Sequence, residues 1–84
     1  MKNTFKLEKN ILNAFTKIKT ANTATLLFKK MGVSYLTIIN IINFLKEKNL
    51  IISEKKGREK YLSYTEKGIK ILKLVESINK ILEE

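Results

Sequence analysis

The order of hydrophobic and polar residues predicts three helices in the first half of the chain. Apolar side chains recur every three or four residues over 7–18, 23–31 and 34–48, which is the spacing of an amphipathic helix. Asn22 or Thr23 can cap the second helix, because either side-chain oxygen can accept a free backbone N–H group. The positions expected in the core are Leu7, Ile11, Leu12, Ala14, Phe15 and Ile18, then Ala24, Leu27, Phe28 and Met31, with Leu26 as a further candidate, then Ile38, Ile41, Ile42 and Leu45.

The third helix carries a second, mixed face beside its core positions. It begins after Ser34, a good N-cap, and Asn49 is a suitable stop, since asparagine tolerates the left-handed conformation of many helix ends. A short helix, a turn at Gly32 and a longer capped helix form the arrangement of a helix-turn-helix unit. We interpret the mixed face as the surface that the chain presents to a partner. It consists of Tyr35, Leu36, Ile39, Asn40 and Asn43.

After Asn49 the hydrophobic period shortens to two residues, which is typical of β-strands. Residues 50–53 and 61–64 are the two candidate strands. The segment between them is basic and contains Gly57, which can supply the positive φ of a hairpin tip. A hairpin is only marginally stable on its own, so we expect this wing, residues 50–64, to lean on the helices.

A fourth helix is predicted over 66–83, with Thr65 as its N-cap and Glu66 placed favourably in its first turn. Eight of the fourteen residues from 69 to 82 are apolar, which is more than one packing stripe needs. We expect one face to pack on its own domain and a coiled-coil seam to form a homodimer, with help from helix 1. The alternative is a broad monomer core with a frayed tail. The seam consists of Ile71, Leu74, Ile78 and Ile81.

These elements predict a mainly α fold with a small β-hairpin, in the order α-α-α-β-β-α of a winged helix-turn-helix. The 84 residues form one small domain, 1–84, whose limited core favours self-association. Gly32, Gly57 and Gly68 fall at predicted element boundaries, where backbone geometry explains them.

The net charge of +9 suggests a polyanionic partner. A second explanation exists, because 16 Lys, 12 Ile and 8 Asn are the bias that an AT-rich genome produces. Lys and Glu also accumulate in proteins from hot environments. Charge alone therefore does not decide the partner.

The residue inventory argues against catalysis. The chain has no His, Cys or Asp, so the usual activated nucleophile, disulfides and thiolate metal ligands are missing. Neither the GxxxxGK[ST] nor the GxGxxG phosphate-binding pattern occurs. We predict a protein that is not an enzyme and needs no cofactor or metal. The most apolar stretch, residues 38–45, is broken by Asn40 and Asn43 and is too short to span a bilayer. We therefore expect a cytoplasmic protein, associated with the nucleoid or, for a virus, in the host cytoplasm.

Three segments resemble winged helix-turn-helix regulators of the MarR and PadR types and small archaeal winged-helix proteins that dimerise through a C-terminal coiled-coil helix. TLLFKKMGVS is similar to the second helix and turn of these proteins. INFLKEKNLI resembles the end of the recognition helix and the first wing strand, with Asn49 where Gly is usual. KGREKYLSYTEKG is similar to the wing and the start of the next helix, with YTEKG in place of LTxKG. The likeness covers residues 10–75, and an archaeal or viral source fits it.

The resemblance implies that the chain binds double-stranded DNA with its third helix in the major groove. Asn40 and Asn43 would read base edges, since Asn matches the N6 and N7 groups of adenine. Leu36 and Ile39 would meet thymine methyl groups. Further side chains would contact the phosphate backbone, and those of the wing would reach either the backbone or the minor groove. These are Tyr35, Thr37, Lys29, Lys30, Lys55, Lys56 and Arg58.

The predicted recognition helix departs from many DNA readers, because no Lys or Arg lies between Val33 and Leu45. Arg to guanine is the commonest specific contact, so its absence favours an A·T-leaning or weakly specific binder that relies on phosphates. Simpler explanations remain open. In the first, Leu36 and Ile39 are buried against a neighbouring element and are not displayed. In the second, Asn40 and Asn43 form a solvated polar face. In the third, the wing cations form an ordinary charged hairpin tip.

Three functions remain open from the sequence. The first, which we prefer, is a dimeric transcription regulator that reads a pseudo-palindromic site. The second is a nucleoid or architectural protein that coats DNA with little sequence preference. The third is a protein-interaction winged helix whose Leu36 and Ile39 surface docks a partner.

Overall fold

A computed structural model describes residues 2–83 of the chain, with side chains described for residues 9–83. The elements follow the order α-α-α-β-β-α, which confirms the predicted fold class. Their bounds are α1 Lys2–Lys17, α2 Ala24–Met31, α3 Tyr35–Glu47, β1 Ile51–Lys56, β2 Glu59–Tyr64 and α4 Glu66–Glu83.

The hydroxyl groups of Thr23, Ser34 and Thr65 cap three of the helices, at positions that the sequence indicates. Thr23, not Asn22, caps α2, because its Oγ1 accepts the Leu26 N–H at 3.2 Å. Ser34 Oγ accepts the Thr37 N–H at 3.1 Å and caps α3. The chain leaves α3 through Asn49 in the left-handed conformation, with φ of 63°, as expected of a helix end. These caps fix where the turn and the wing begin.

Helix α1 begins at Lys2 rather than at Leu7, where the hydrophobic stripe begins. Residues 2–6 contain no Pro or Gly, so the backbone can continue the helix ahead of that stripe. The Leu7 side chain lies outside the described ones. Leu12 and Phe28, both expected in the core, are exposed. The core of so short a chain covers only one narrow stripe of each helix.

The core lies where the first three helices, the base of the wing and the start of α4 meet. Its largest fully buried side chains are Phe15, Ile18, Leu27, Ile38, Ile41, Leu45 and Ile51. The Phe15 ring stands edge-to-face on Tyr64 at 5.2 Å between centroids, and the Tyr64 hydroxyl donates to the Phe15 carbonyl at 2.5 Å. This pair joins α1 to the end of β2.

The wing is an antiparallel pair whose register matches Ile51 with Tyr64 and turns at Gly57, which has φ of 64°. Ile51 and Leu62 are buried at its base. The Leu62 N–H also donates to the Asn22 carbonyl, in the loop before α2, at 2.8 Å. The wing therefore leans on the helices, as predicted, and holds a fixed position beside α3.

Gly68 is not explained by an element boundary, which corrects the sequence interpretation. It lies in the first turn of α4, where Thr65 Oγ1 accepts its N–H at 2.9 Å. A Cβ atom built on Gly68 would stand 2.0 Å from the Leu50 carbonyl oxygen. The close approach of two backbones, and not a left-handed conformation, requires glycine here.

Over residues 2–83, the helices lack the combination of length and apolar character that crossing a membrane requires.

Candidate nucleic-acid interface

Helix α3 divides into a buried face and an exposed face, as its spacing predicts. Ile38, Ile41 and Leu45 are buried. Leu36, with 69% of its surface exposed, lies on the opposite side, and Asn40 and Asn43 follow it at helical spacing and are exposed too. Ile39 is half-buried. The structure therefore excludes burial of Leu36 and displays both asparagines on one surface.

The first turn of α3 holds two of the predicted phosphate-contacting hydroxyls in different settings. Tyr35 is exposed and its ring meets Phe28 of α2 edge-to-face, with the centroids 5.7 Å apart. Thr37 is half-buried, and its Oγ1 lies 2.9 Å from the capping Ser34 Oγ. The Tyr35 hydroxyl is thus presented beside the mixed face, while the Thr37 hydroxyl already takes part in the helix cap.

A cleft of about 380 Å³ separates α3 from the wing. Residues at the start of α2 also line this cleft, which we call the wing cleft. Its wall on α3 carries polar, apolar and basic groups, and its wall on the wing is mainly basic. The lining residues are Thr23, Ala24, Thr25, Tyr35, Ile39, Ile42, Asn43, Lys46, Ser53, Lys55, Arg58, Glu59, Lys60 and Leu62.

The strand register separates the charges of the wing onto two faces. On the inner face, which lines the wing cleft, Lys55 stands directly opposite Lys60. On the outer face, Lys56 stands opposite Glu59, and its Nζ lies 3.8 Å from Glu54 Oε1. Basic side chains therefore face α3, whereas the acidic partners lie mainly on the other side. Glu59 also borders the wing cleft at the hairpin tip.

The opposed pair of Lys55 and Lys60 works against folding, since like charges directly across an antiparallel pair repel. Arg58 at the tip and Lys46 on α3 bring two more positive charges to the same cleft. An anion seated between the wing and α3 would relieve this repulsion. The wing cleft is therefore suited to a negatively charged partner.

The predicted cations do not all meet at this cleft. Lys55 and Arg58 line it, but Lys56 belongs to the outer face of the wing. Lys29 and Lys30 are exposed at the end of α2, outside the cleft lining, and Lys30 Nζ donates to Thr20 Oγ1 at 2.9 Å.

Sequence reasoning missed two of the basic residues in the cleft, Lys46 and Lys60. Both had a signal in the sequence. Lys46 follows Asn43 by three positions, which places it on the same side of a helix. A hairpin tip at Gly57 fixes the strand register. That register places Lys60 directly opposite Lys55.

The predicted dimer seam on α4 is mostly open to solvent. Leu74, Ile78 and Ile81 are 65%, 57% and 67% exposed. Ile71 is the exception, because it is half-buried against the core of its own domain. Leu72, on the neighbouring face, is buried. The helix thus uses one face within the chain and leaves an apolar stripe beyond it.

Among the described residues, no three acidic, His or Cys side chains come close enough together to hold a metal ion.

Comparison with solved structures shows the winged-helix fold. The chain superposes on ZitR of Lactococcus lactis with a TM-score of 0.84 and 19% identity over 98% of this chain and 65% of that one. For the Staphylococcus aureus MepR–DNA complex the TM-score is 0.72 and the identity 20%, over 93% and 58%. For AF1382 of Archaeoglobus fulgidus they are 0.74 and 23%, over 94% and 89%.

These neighbours confirm the expected likeness to MarR-type and small archaeal winged-helix proteins at the level of the fold. The chain spans about half to two thirds of the length of the ZitR, MarR and MepR chains that it matches. No protein-family model and no curated protein sequence matches it.

Proposed function

We propose that this chain binds double-stranded DNA as a dimeric transcription regulator. The observation that carries the proposal is the wing cleft, where basic wing residues face the exposed side of a helix-turn-helix. A structural neighbour, MepR, is a transcription regulator and has been crystallised with DNA. The shared fold, at 20% sequence identity, supports the proposal.

In this proposal the exposed face of α3 enters the major groove. Its 13 residues form a rod about 20 Å long, and the major groove, about 12 Å wide, accepts a helix. Asn40 and Asn43 point out at successive turns and contact base edges, with adenine as the preferred partner. Tyr35 donates its hydroxyl to a phosphate at the start of the helix.

The cations supply most of the affinity in this proposal. Lys46, Lys55, Arg58 and Lys60 lie around one cleft and neutralise the backbone that borders the groove. Lys29 and Lys30 contact phosphates farther along, near the turn. Lys56 is left out of the contact set, because the register places it on the outer face with Glu54 and Glu59.

The homodimer forms through α4 in this proposal. Leu74, Ile78 and Ile81 continue the 3–4–3 spacing that starts at Ile71, and such a stripe matches a second copy of itself. Exposed apolar residues in so regular a line are costly in water, and burying them in a dimer removes that cost. Leu12 on α1 is exposed as well, and we assign it to the same interface.

A second candidate function is an architectural protein that coats DNA. It is favoured by the lack of any Lys or Arg on α3 between Tyr35 and Leu45, because such a helix has no strong guanine contact. Its affinity would come from phosphates alone and would depend steeply on salt.

Fluorescence anisotropy on two labelled duplexes tests the proposal and separates the candidates. One duplex carries the DNA upstream of the gene and the other a shuffled sequence, each at about 50 and 200 mM salt. A regulator keeps the upstream duplex at the higher salt and releases the shuffled one. Equal binding that collapses with salt indicates the architectural function. No binding to either duplex at low salt would refute both.

A further inference from the structure

The backbone that leaves α3 is tied to the first turn of α4 by hydrogen bonds to three consecutive carbonyl groups. Lys67 Nζ donates to the Lys48 carbonyl at 3.1 Å, and Thr65 Oγ1 donates to the Asn49 carbonyl at 2.6 Å. The Thr65 N–H group donates to the Leu50 carbonyl at 3.1 Å. Carbonyl groups at and beyond a helix end have no partner within that helix, so α4 supplies the donors here. We call this set of contacts the α3–α4 joint.

The α3–α4 joint is short and leaves little freedom between the two helices. Thr65 Oγ1 accepts the Gly68 N–H group at 2.9 Å while it donates to the Asn49 carbonyl, which one hydroxyl group can do at the same time. The Gly68 backbone lies directly against the Leu50 carbonyl, with no side chain between them. The joint is therefore mostly backbone against backbone, and we expect α3 and the start of α4 to move as one body.

The α3–α4 joint lies between the two surfaces that the proposed function uses. Helix α3 carries the exposed Asn40 and Asn43, and α4 carries the exposed Leu74 and Ile78 of the apolar stripe. In a dimer formed through α4, each copy of α3 is connected to the interface through this joint. A rigid joint holds the two copies of α3 at one separation, whereas a loose joint lets each of them find its half-site independently.

We propose that Thr65 and Lys67 are positioning residues that fix α3 relative to α4 and so set the half-site separation that the dimer accepts on DNA. This inference rests on the proposed binding of DNA by a dimer. Neither residue needs to contact DNA in this role, because each acts through the backbone at the end of α3.

Spin labels test the rigidity of the α3–α4 joint without DNA. The chain has no Cys, so the double variant Asn43→Cys with Ser77→Cys carries one label on each helix, both at exposed positions. Pulsed electron paramagnetic resonance, with the labelled chain diluted in unlabelled chain, measures the distance distribution within one chain. We expect a narrow distribution that broadens with Lys67→Met and with Thr65→Val. Thr65→Ser keeps the hydroxyl group and should restore the narrow distribution.

DNA of altered spacing tests the consequence for binding. The probe is a duplex that the wild type selects from a random pool, together with a version that has one base pair inserted at its centre. The insertion rotates one half-site by about 35° relative to the other. We expect the wild type to lose roughly tenfold or more in affinity, as for a mismatched site, and Lys67→Met to lose clearly less. Lys70→Met removes the same charge three residues farther along α4 and should lose as much as the wild type.

The outcomes separate this inference from the proposal on which it rests. A distance distribution that stays narrow in Lys67→Met and Thr65→Val would overturn the inference, since the packing of α4 on α1 would then hold the two helices. A broadened distribution with an unchanged spacing preference would overturn the role in half-site separation and leave DNA binding intact. A random pool from which the wild type selects no duplex would overturn DNA binding, and the spacing role with it.

Discussion

At the scale of single residues, position 68 shows how a tertiary contact reverses a local preference. In an exposed helix, Gly→Ala stabilises by about 1 kcal/mol. At Gly68 the added Cβ would stand 2.0 Å from the Leu50 carbonyl oxygen, which is backbone and cannot rotate away. The start of α4 and the base of the wing would have to separate.

We expect Gly68→Ala to lower the free energy of unfolding by about 1–3 kcal/mol, the usual cost of overpacking. Urea denaturation followed by circular dichroism measures the change. Ser77→Ala, at an exposed position of the same helix, is the control and should leave stability unchanged or slightly raised. A stabilised Gly68→Ala variant would show that the two backbones are not in contact.

Tyr64 gives a second prediction, which concerns alkaline pH. Burial raises the pKa of its phenol to about 12, with the Glu76 charge adding to the rise and hydrogen bonding with the Lys19 backbone opposing it. The folded chain therefore retains a proton that the unfolded chain releases near pH 10. The resulting stability is present below pH 10 and is lost as the pH rises towards 12.

Urea denaturation across this pH range should show a steeper loss of stability for the wild type than for Tyr64→Phe. The variant should also be less stable at neutral pH, because it lacks the hydrogen bond to the Phe15 carbonyl. Tyr61→Phe removes the same hydroxyl group from the outer face of the wing. It is the control and should keep the pH profile of the wild type. Identical pH profiles for the wild type and Tyr64→Phe would contradict the assignment.

Sequence reasoning at this scale succeeds where the cause is local. Thr65 and Ser34 cap helices through atoms three residues away, so their roles follow from the sequence alone. The need for glycine at 68 depends on Leu50, which is distant in the chain, and no local pattern contains that information.

At the scale of elements, the wing carries a conflict between folding and binding. Lys55 and Lys60 are opposed on its inner face and repel each other, although both are exposed and solvent weakens the effect. Lys60→Glu replaces this repulsion with a cross-strand ion pair. We expect the variant to be more stable by about 0.2–1 kcal/mol and to bind DNA more weakly.

Thermal denaturation and anisotropy measure these two changes, which should have opposite signs. Lys56→Glu is the matched control, because it sets a new carboxylate against Glu54 and Glu59 on the outer face. We expect Lys56→Glu to destabilise the wing. It should also weaken DNA binding by less than Lys60→Glu does. A Lys60→Glu variant that binds DNA as well as the wild type would contradict the claim that the inner face of the wing contacts DNA.

The sequence pattern places the elements well but not the faces of the wing. Alternation predicts two strands, and Gly57 predicts the tip, yet three neighbouring cations at 55, 56 and 58 look equivalent in the sequence. Alternation places Lys55 and Lys56 on opposite faces. The burial of Ile51 and Leu62, which share the face of Lys55, shows which of the two faces is the inner one.

At the scale of the whole molecule, the proposed dimer would set how two copies of α3 meet DNA. In such a dimer the two copies of α3 would lie one DNA turn apart, about 34 Å. Leu74→Glu places a charge in the middle of the exposed stripe on α4. We expect it to give monomers and to weaken DNA binding.

Light scattering at micromolar concentration measures the molar mass of the variant. Asn79→Glu introduces the same side chain about a quarter turn or more away from the stripe and should remain dimeric. A Leu74→Glu variant that stays dimeric would place the interface elsewhere.

The central claim is that the inner face of the wing, together with α3, is the surface that contacts DNA. The most direct measurement is the salt dependence of DNA affinity for Lys55→Ala and Lys56→Ala, which remove the same charge from opposite faces of one strand. The account predicts that Lys55→Ala lowers the slope of log K against log salt by about one, whereas Lys56→Ala leaves it close to the wild-type value. Equal effects of the two substitutions, or an unchanged slope for Lys55→Ala, would contradict it.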